Sequence, residues 1–214
     1  RRASFHSPSA PGFGISSRVM ASTLPEGGAD QGFPDDPFWD FSLATYDRPG
    51  VAAACLGLQD RHGIDVNMVL FCCWAGASGA GMVDPAAMAA ALNAALPWQR
   101  DVVVPLRRIR RDLKGAGQTG ARLRRHVASA EIDAEHAEQL MISATWAPRP
   151  DAARDEVRRI GDACVNLRCY FDALDLTPGE ADRADLAALL GGVFPLHGRW
   201  DMDATVEKEF YGAA

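Results

Sequence analysis

From residue 36 onward, apolar positions recur every three or four residues, the spacing of one face of an α-helix. Val157, Ile160, Cys164, Leu167, Phe171 and Leu174 form one such stripe and predict a helix over 152–175. Val103, Leu106, Ile109 and Leu113 form another, predicting a helix over 98–114 with Pro105 near its start or at a kink. Leu140, Met141 and Ala144 give a shorter stripe within 133–146. Residues 66–77 are apolar all round, which marks the helix that the others surround. No alternation of period two and no Asn-Gly hairpin signal argues for strands.

The punctuation agrees with this periodicity. Asp36-Pro37, Asp84-Pro85 and Thr177-Pro178 each place a capping side chain before a proline at the first helical position. Glu180, three residues after Thr177, completes the pattern of a capping box. Gly63, Gly79, Gly81, Gly115, Gly117 and Pro148-Arg149-Pro150 supply stops. The expected fold is all-α, a single bundle of about seven to nine helices around the apolar helix 66–77. Its helices are expected at 37–46, 49–62, 65–78, 85–96, 98–114, 120–130, 133–146, 152–175 and 178–191, with neighbours free to merge. Residues 1–35 read as a disordered or mis-assigned extension, 36–192 as the helical domain, and 193–214 as a tail that docks or hangs free. The acid-poor leader 1–19 has a transit-peptide composition without a clear amphipathic face, and is read as sequence upstream of a start at Met20.

Composition narrows the classes. With 214 residues, 48% hydrophobic and 23% charged, the chain can bury a core, and it lacks the make-up of a disordered, fibrous or disulfide-dense protein. No run approaches the roughly 18 apolar residues of a membrane span. Five cysteines, Cys55, Cys72, Cys73, Cys164 and Cys169, are odd in number and lack Cys-x-x-Cys spacing. They are expected as buried, inert thiols in a reducing cytoplasm, with no zinc site and no cofactor.

Certain runs carry a resemblance. Phe38-Trp39-Asp40-Phe41-Ser42-Leu43, Pro49-Gly50-Val51, Cys55-Leu56-Gly57-Leu58-Gln59-Asp60, Gly63-Ile64-Asp65-Val66-Asn67 and Leu70-Phe71-Cys72 are the first of them. Trp98-Gln99-Arg100-Asp101-Val102-Val103-Val104-Pro105-Leu106-Arg107 continues the pattern. Across roughly 36–175 the chain resembles an uncharacterised bacterial family of short cytosolic proteins known only as a domain of unknown function. The resemblance implies a helical protein and supplies no catalytic or ligand residue.

Charge is unevenly spread. The net charge of −6 conceals the segment 100–126, where nine basic residues face only Asp101 and Asp112. Arg107, Arg108, Arg110, Arg111 and Lys114 lie on the first predicted helix, and Arg122, Arg124 and Arg125 on the second. Such a cluster can grip phosphates of a nucleic acid or nucleotide. The acidic block Glu131, Asp133, Glu135 and Glu138 offers self-neutralisation instead, the expectation that the acidic pI of 5.3 favours.

A second polar group surrounds the Gly63 turn: Gln59, Asp60, His62, Asp65 and Asn67. It can coordinate a cation or poise a base, but capping explains it more simply, with Asp65 at an N-cap and His62 in a last turn. Asp133 and His136 have a metal-bundle spacing without the second copy such a centre needs, so no metal is expected. No nucleophile elbow, phosphate-cradling loop or His-Glu-x-x-His pattern is present. The leading expectation is a non-enzymatic adaptor or regulatory module with a protein partner and no membrane. Anion or nucleic-acid binding through 100–125, and a small-ligand or enzyme site around 59–67, stand behind it.

Overall fold

Asp36 starts the first helix by accepting the Phe38 N–H at 3.1 Å, with Pro37 where a missing donor costs nothing. In a computed structural model that describes residues 32–147, 149–196 and 199–212, this helix is α1 (Pro37–Tyr46). It is followed by α2 (Val51–His62), α3 (Val66–Ala77), α4 (Pro85–Trp98), α5 (Val104–Asp112) and α6 (Gly117–Ala144). The chain continues through α7 (Glu156–Ala173), α8 (Glu180–Val193) and α9 (Arg199–Val206). The described residues form an all-α bundle without strands. Residues 1–31, including the leader, and Pro148 lie outside those described.

Helix α3 is the hub. Every residue from Val66 to Gly76 is buried, and α3 packs most extensively on α7 through Ile160, Ala163, Cys164, Leu167 and Phe171. Each large apolar side chain buried there contributes about 1.5–3 kcal/mol. The two backbones meet at Gly76, where an added Cβ would lie 2.5 Å from the Ala163 nitrogen. Phe38 stacks on Trp74 at 5.2 Å, and Trp146 meets Trp74 and Phe71 edge-on at 6.0 and 5.7 Å, binding α1 and the end of α6 to the same hub. Four of the five free thiols are buried and Cys169 is half-buried. Burial pushes Cys55 and Cys164 up to about 12.

Several boundaries differ from expectation for local reasons. Helix α4 does not break near Pro97. It runs through a π-helical turn, Gln99–Val103, directly into α5, with Pro105 in the first turn of α5. A π turn shifts the phase of the helix beyond it, so the stripe Val103, Leu106, Ile109, Leu113 does not form the buried face. Val103 and Arg107 are buried, Leu106 and Leu113 are half-buried, and Ile109 is 46% exposed. The expected helices 120–130 and 133–146 are one, because Ala130, Glu131 and Ile132 give the helix no reason to stop. Helix α7 begins at Glu156, capped by Asp155, which leaves Val157 exposed outside its stripe. At α8 the N-cap is Gly179, and Asp182, not the Thr177–Glu180 pair, accepts its N–H at 2.7 Å. At the C-terminal end, Met202 and Val206 of α9 are buried, and the Tyr211 hydroxyl donates to the Gly179 carbonyl at 2.7 Å.

Candidate functional site

Helix α6 turns an unusual face inward. Glu131, Glu135, Glu138, Gln139 and Ile142 follow helical spacing and are all buried, so acids occupy places where an amphipathic helix carries apolar residues. Their partners come from α5, α3 and the π turn, and α7 binds Asp65 beside them. From α5, Arg107 donates to Glu131 at 3.3 Å and to Glu135 at 2.9 Å, while Arg110 binds Glu131 through both Nε and Nη2. From α3, the Asn67 amide donates to Glu138 at 2.7 Å and its carbonyl oxygen accepts from Gln139 at 2.8 Å. Gln99, carried on the π turn, donates to Glu138 at 3.4 Å. From α7, the Tyr170 hydroxyl accepts the Asp65 N–H at 3.0 Å.

Asp65 holds the centre. Its Oδ1 caps α3 by accepting the Asn67 N–H at 2.9 Å, which leaves the buried Oδ2 for the Glu138 carboxyl. Glu138 likewise has one oxygen served by Asn67 and Gln99, which leaves the buried Oε1 for Asp65. The two carboxyls meet, and desolvation raises both, Glu138 to about 9, its charge opposed next by that of Asp65. Two adjacent carboxylates out of water cannot both ionise, so the pair holds one proton between them. Burial also lifts Glu135 to about 7 against the pull of Arg107.

A cavity of about 130 Å³ opens beside this network, at the α2–α3 junction and along α4, the π turn and α7. Its polar wall is Gln59, Asp65, Gln99, Arg107 and Tyr170; Met68, Leu92, Val104 and Leu174 are among its apolar lining. Among the described residues no group of three or more His, Cys, Asp or Glu is placed to hold a metal ion.

The structure divides the residues singled out around Gly63. Gln59, Asp65 and Asn67 belong to the network or its cavity, with Gln59 donating to the Ile64 carbonyl at 3.2 Å. Asp60 faces solvent, and His62 turns away to Asp182 at 2.9 Å, joining α2 to α8. Gly63 permits the separation, since its φ of +67° ends α2 in a left-handed turn that directs the chain into α3. Gln99, Gln139 and Tyr170 are members that the sequence did not single out. The one legible signal was the helical spacing of the α6 acids.

The basic segment is divided too. Arg107 and Arg110 are spent on Glu131 and Glu135, while Asp133 is exposed and Glu138 serves the other half of the network. Arg108, Arg111, Lys114, Arg122, Arg124 and Arg125 are all exposed. Arg108 has only a 3.9 Å approach to the equally exposed Asp112. Helices α5 and α6 run antiparallel, and Gly120 seats against Ala116 and Leu113 where the connection closes. Beyond that contact, residues 122–126 are exposed in succession. On a helix five consecutive residues cover every side, so this part of α6 stands clear of the bundle with the end of α5 beside it. Trp98 is half-buried and donates its indole N–H to the Ala134 carbonyl at 2.9 Å.

No helix among the described residues is long and apolar enough to cross a membrane. No curated protein and no solved structure matches the chain. A family model does match, over 37–142, a shorter span than the 36–175 of the sequence resemblance. That span holds every carboxylate of the buried network and all six exposed cations of the α5–α6 arm. Residues 37–142 match the family described as "Protein of unknown function (DUF2390)".

Proposed function

We propose that the protein is a docking module whose α5–α6 arm binds the phosphate backbone of a nucleic acid duplex. This takes up the nucleic-acid reading of segment 100–125 that stood behind the adaptor with a protein partner in the sequence. The observation that carries it is the partition of the basic segment. Two arginines are consumed inside, and six cations remain on a projecting hairpin with Asp112 as the neighbouring acid. On α6, Arg124 and Arg125 lie about 200° and 300° around the helix from Arg122, so the three share an arc of about 160° and form one basic face of the arm. A helix with such a basic face suits a duplex, whose major groove, about 12 Å wide, admits a helix between its rows of phosphates. The acidic remainder of the chain turns the arm toward the polyanion during approach.

The test is fluorescence anisotropy of the full chain with short DNA and RNA duplexes across a salt series. Binding is expected at low salt, weakening by about 0.9 log units per log unit of salt for each phosphate contacted. Arg122→Glu/Arg124→Glu/Arg125→Glu is expected to abolish it at a salt concentration where wild type binds. Absence of binding at low salt, equal binding by the triple variant, or binding only to an acidic polypeptide of matched charge overturns the reading.

A further inference from the structure

The basic face of α6 holds more than charge. Gln118, Ala121, Arg122 and Arg125 stand at i, i+3, i+4 and i+7, so they share an arc of about 100° on the N-terminal part of the helix. Gln118, Arg122 and Arg125 are exposed, and Ala121 is half-buried. Gly120, seated against Leu113 and Ala116, lies on nearly the opposite side of α6, so the stripe turns away from the α5 contact. No acid occurs between Asp112 and Glu131, so nothing along this stretch of chain repels a polyanion. A surface that only neutralises phosphate needs charge alone, and neither Gln118 nor Ala121 supplies any. All three residue types do suit base edges. In the major groove Arg pairs through its fork with O6 and N7 of guanine, Gln pairs with N6 and N7 of adenine, and Ala packs on the thymine methyl.

We infer that the N-terminal part of α6 is a recognition helix that reads sequence in the major groove of B-form DNA, with Arg122 and Arg125 on guanines and Gln118 on an adenine. This rests on the duplex-binding reading of the arm and names the kind of duplex. Arg124 lies outside the stripe, on the side toward α5, where Arg108 and Arg111 are also exposed. These three hold backbone phosphates beside the groove and fix the register, while the stripe carries the specificity. Gln118 and Arg125 are about 10 Å apart along the helix axis, the rise of about three base pairs, so the site read by one chain is short. Duplex RNA does not offer the same edges, because the A-form major groove is too deep and narrow for side chains to read.

The experiment is selection by the full chain from a pool of double-stranded DNA with a randomised core, followed by anisotropy with the enriched duplex, a scrambled duplex and the matching RNA duplex. A short motif containing guanine is expected to emerge, and the enriched DNA to bind at least about tenfold more tightly than the other two. Arg125→Ala should erase the preference at one guanine and Gln118→Ala at one adenine, both with an unchanged far-ultraviolet spectrum because the side chains are exposed. Arg111→Met should instead weaken every sequence alike and lower the salt slope by about one. A pool that emerges without enrichment, RNA bound as tightly as the enriched DNA, or a preference unchanged in either alanine variant overturns this inference and leaves the phosphate reading of the arm standing. Failure to bind any duplex at low salt overturns both.

Discussion

Two helix pairs build the interior of this bundle by opposite means. Between α3 and α7 the contact is dry: Gly76 against Ala163, with Cys164, Leu167 and Phe171 alongside. Between α5 and α6 it is charged, with Arg107 held by Glu131 and Glu135. Both are buried, yet they are sensitive to different changes. The dry pair is sensitive to volume, since dispersion and apolar burial depend on close approach. The charged pair is sensitive to balance, since each ion was taken from water at a cost of several kcal/mol that only its partners offset.

The largest effect is expected where the balance is broken. Arg107→Met leaves Glu131 and Glu135 buried with one cation fewer, and should cost about 3–5 kcal/mol in urea denaturation. Replacing all three by Arg107→Met/Glu131→Leu/Glu135→Leu should recover most of that loss, because an apolar cluster of similar size bears no desolvation cost. A triple variant as unstable as the single one would show that the charges themselves hold α5 to α6. Gly76→Ala at the dry pair should cost about 1–3 kcal/mol by forcing α3 off α7. A second-site change on α6 should not rescue it.

The two pairs also part company with pH. In the folded state Glu138 is raised to about 9 and Glu135 to about 7, against 4.5 for an ordinary glutamate. Between those values the folded protein holds protons that the unfolded chain has released. By linkage its stability therefore falls as pH rises, with both groups contributing from about 4.5 to 7 and Glu138 alone from there to about 9. Thermal melts from pH 5 to 9 should show this decline. Glu135→Gln should flatten it below pH 7, and Gly76→Ala should shift the curve down without changing its slope.

This contrast also explains what the sequence could be made to yield. The dry pair was legible, because the apolar run 66–77 and the stripe from Ile160 to Leu174 obey the helical period. The caps at Asp36, Asp65 and Asp84 were legible as well, since proline and aspartate act locally. The charged pair was not. Burial of Arg107 depends on the π turn that rephases α5, and on acids 24 and 28 residues further along the chain. Periodicity read on apolar residues alone assigned that face to Leu106 and Ile109. The acidic block was identified as a partner for the arginines, but nothing local tells which arginines turn inward. Gln99 and Tyr170 were hidden for the same reason, being brought to Asp65 and Glu138 by tertiary packing alone.

The smallest expected effect is the sharpest use of the comparison. Arg108 and Arg111 share a helix with Arg107 and carry the same charge, but both are exposed, and Arg108 has only its long approach to Asp112. Arg108→Met and Arg111→Met should each change stability by no more than about 0.5 kcal/mol, because solvent already screens the charge and little packing is lost. The same two variants should weaken duplex binding measurably, since each removes a cation from the arm. If Arg108→Met destabilised the fold as Arg107→Met does, the arm would be part of the bundle's scaffold and its charge would need no external partner. A neutral effect on folding with a loss in binding separates the two uses of arginine on one helix: inward to balance buried acids, outward to meet phosphate.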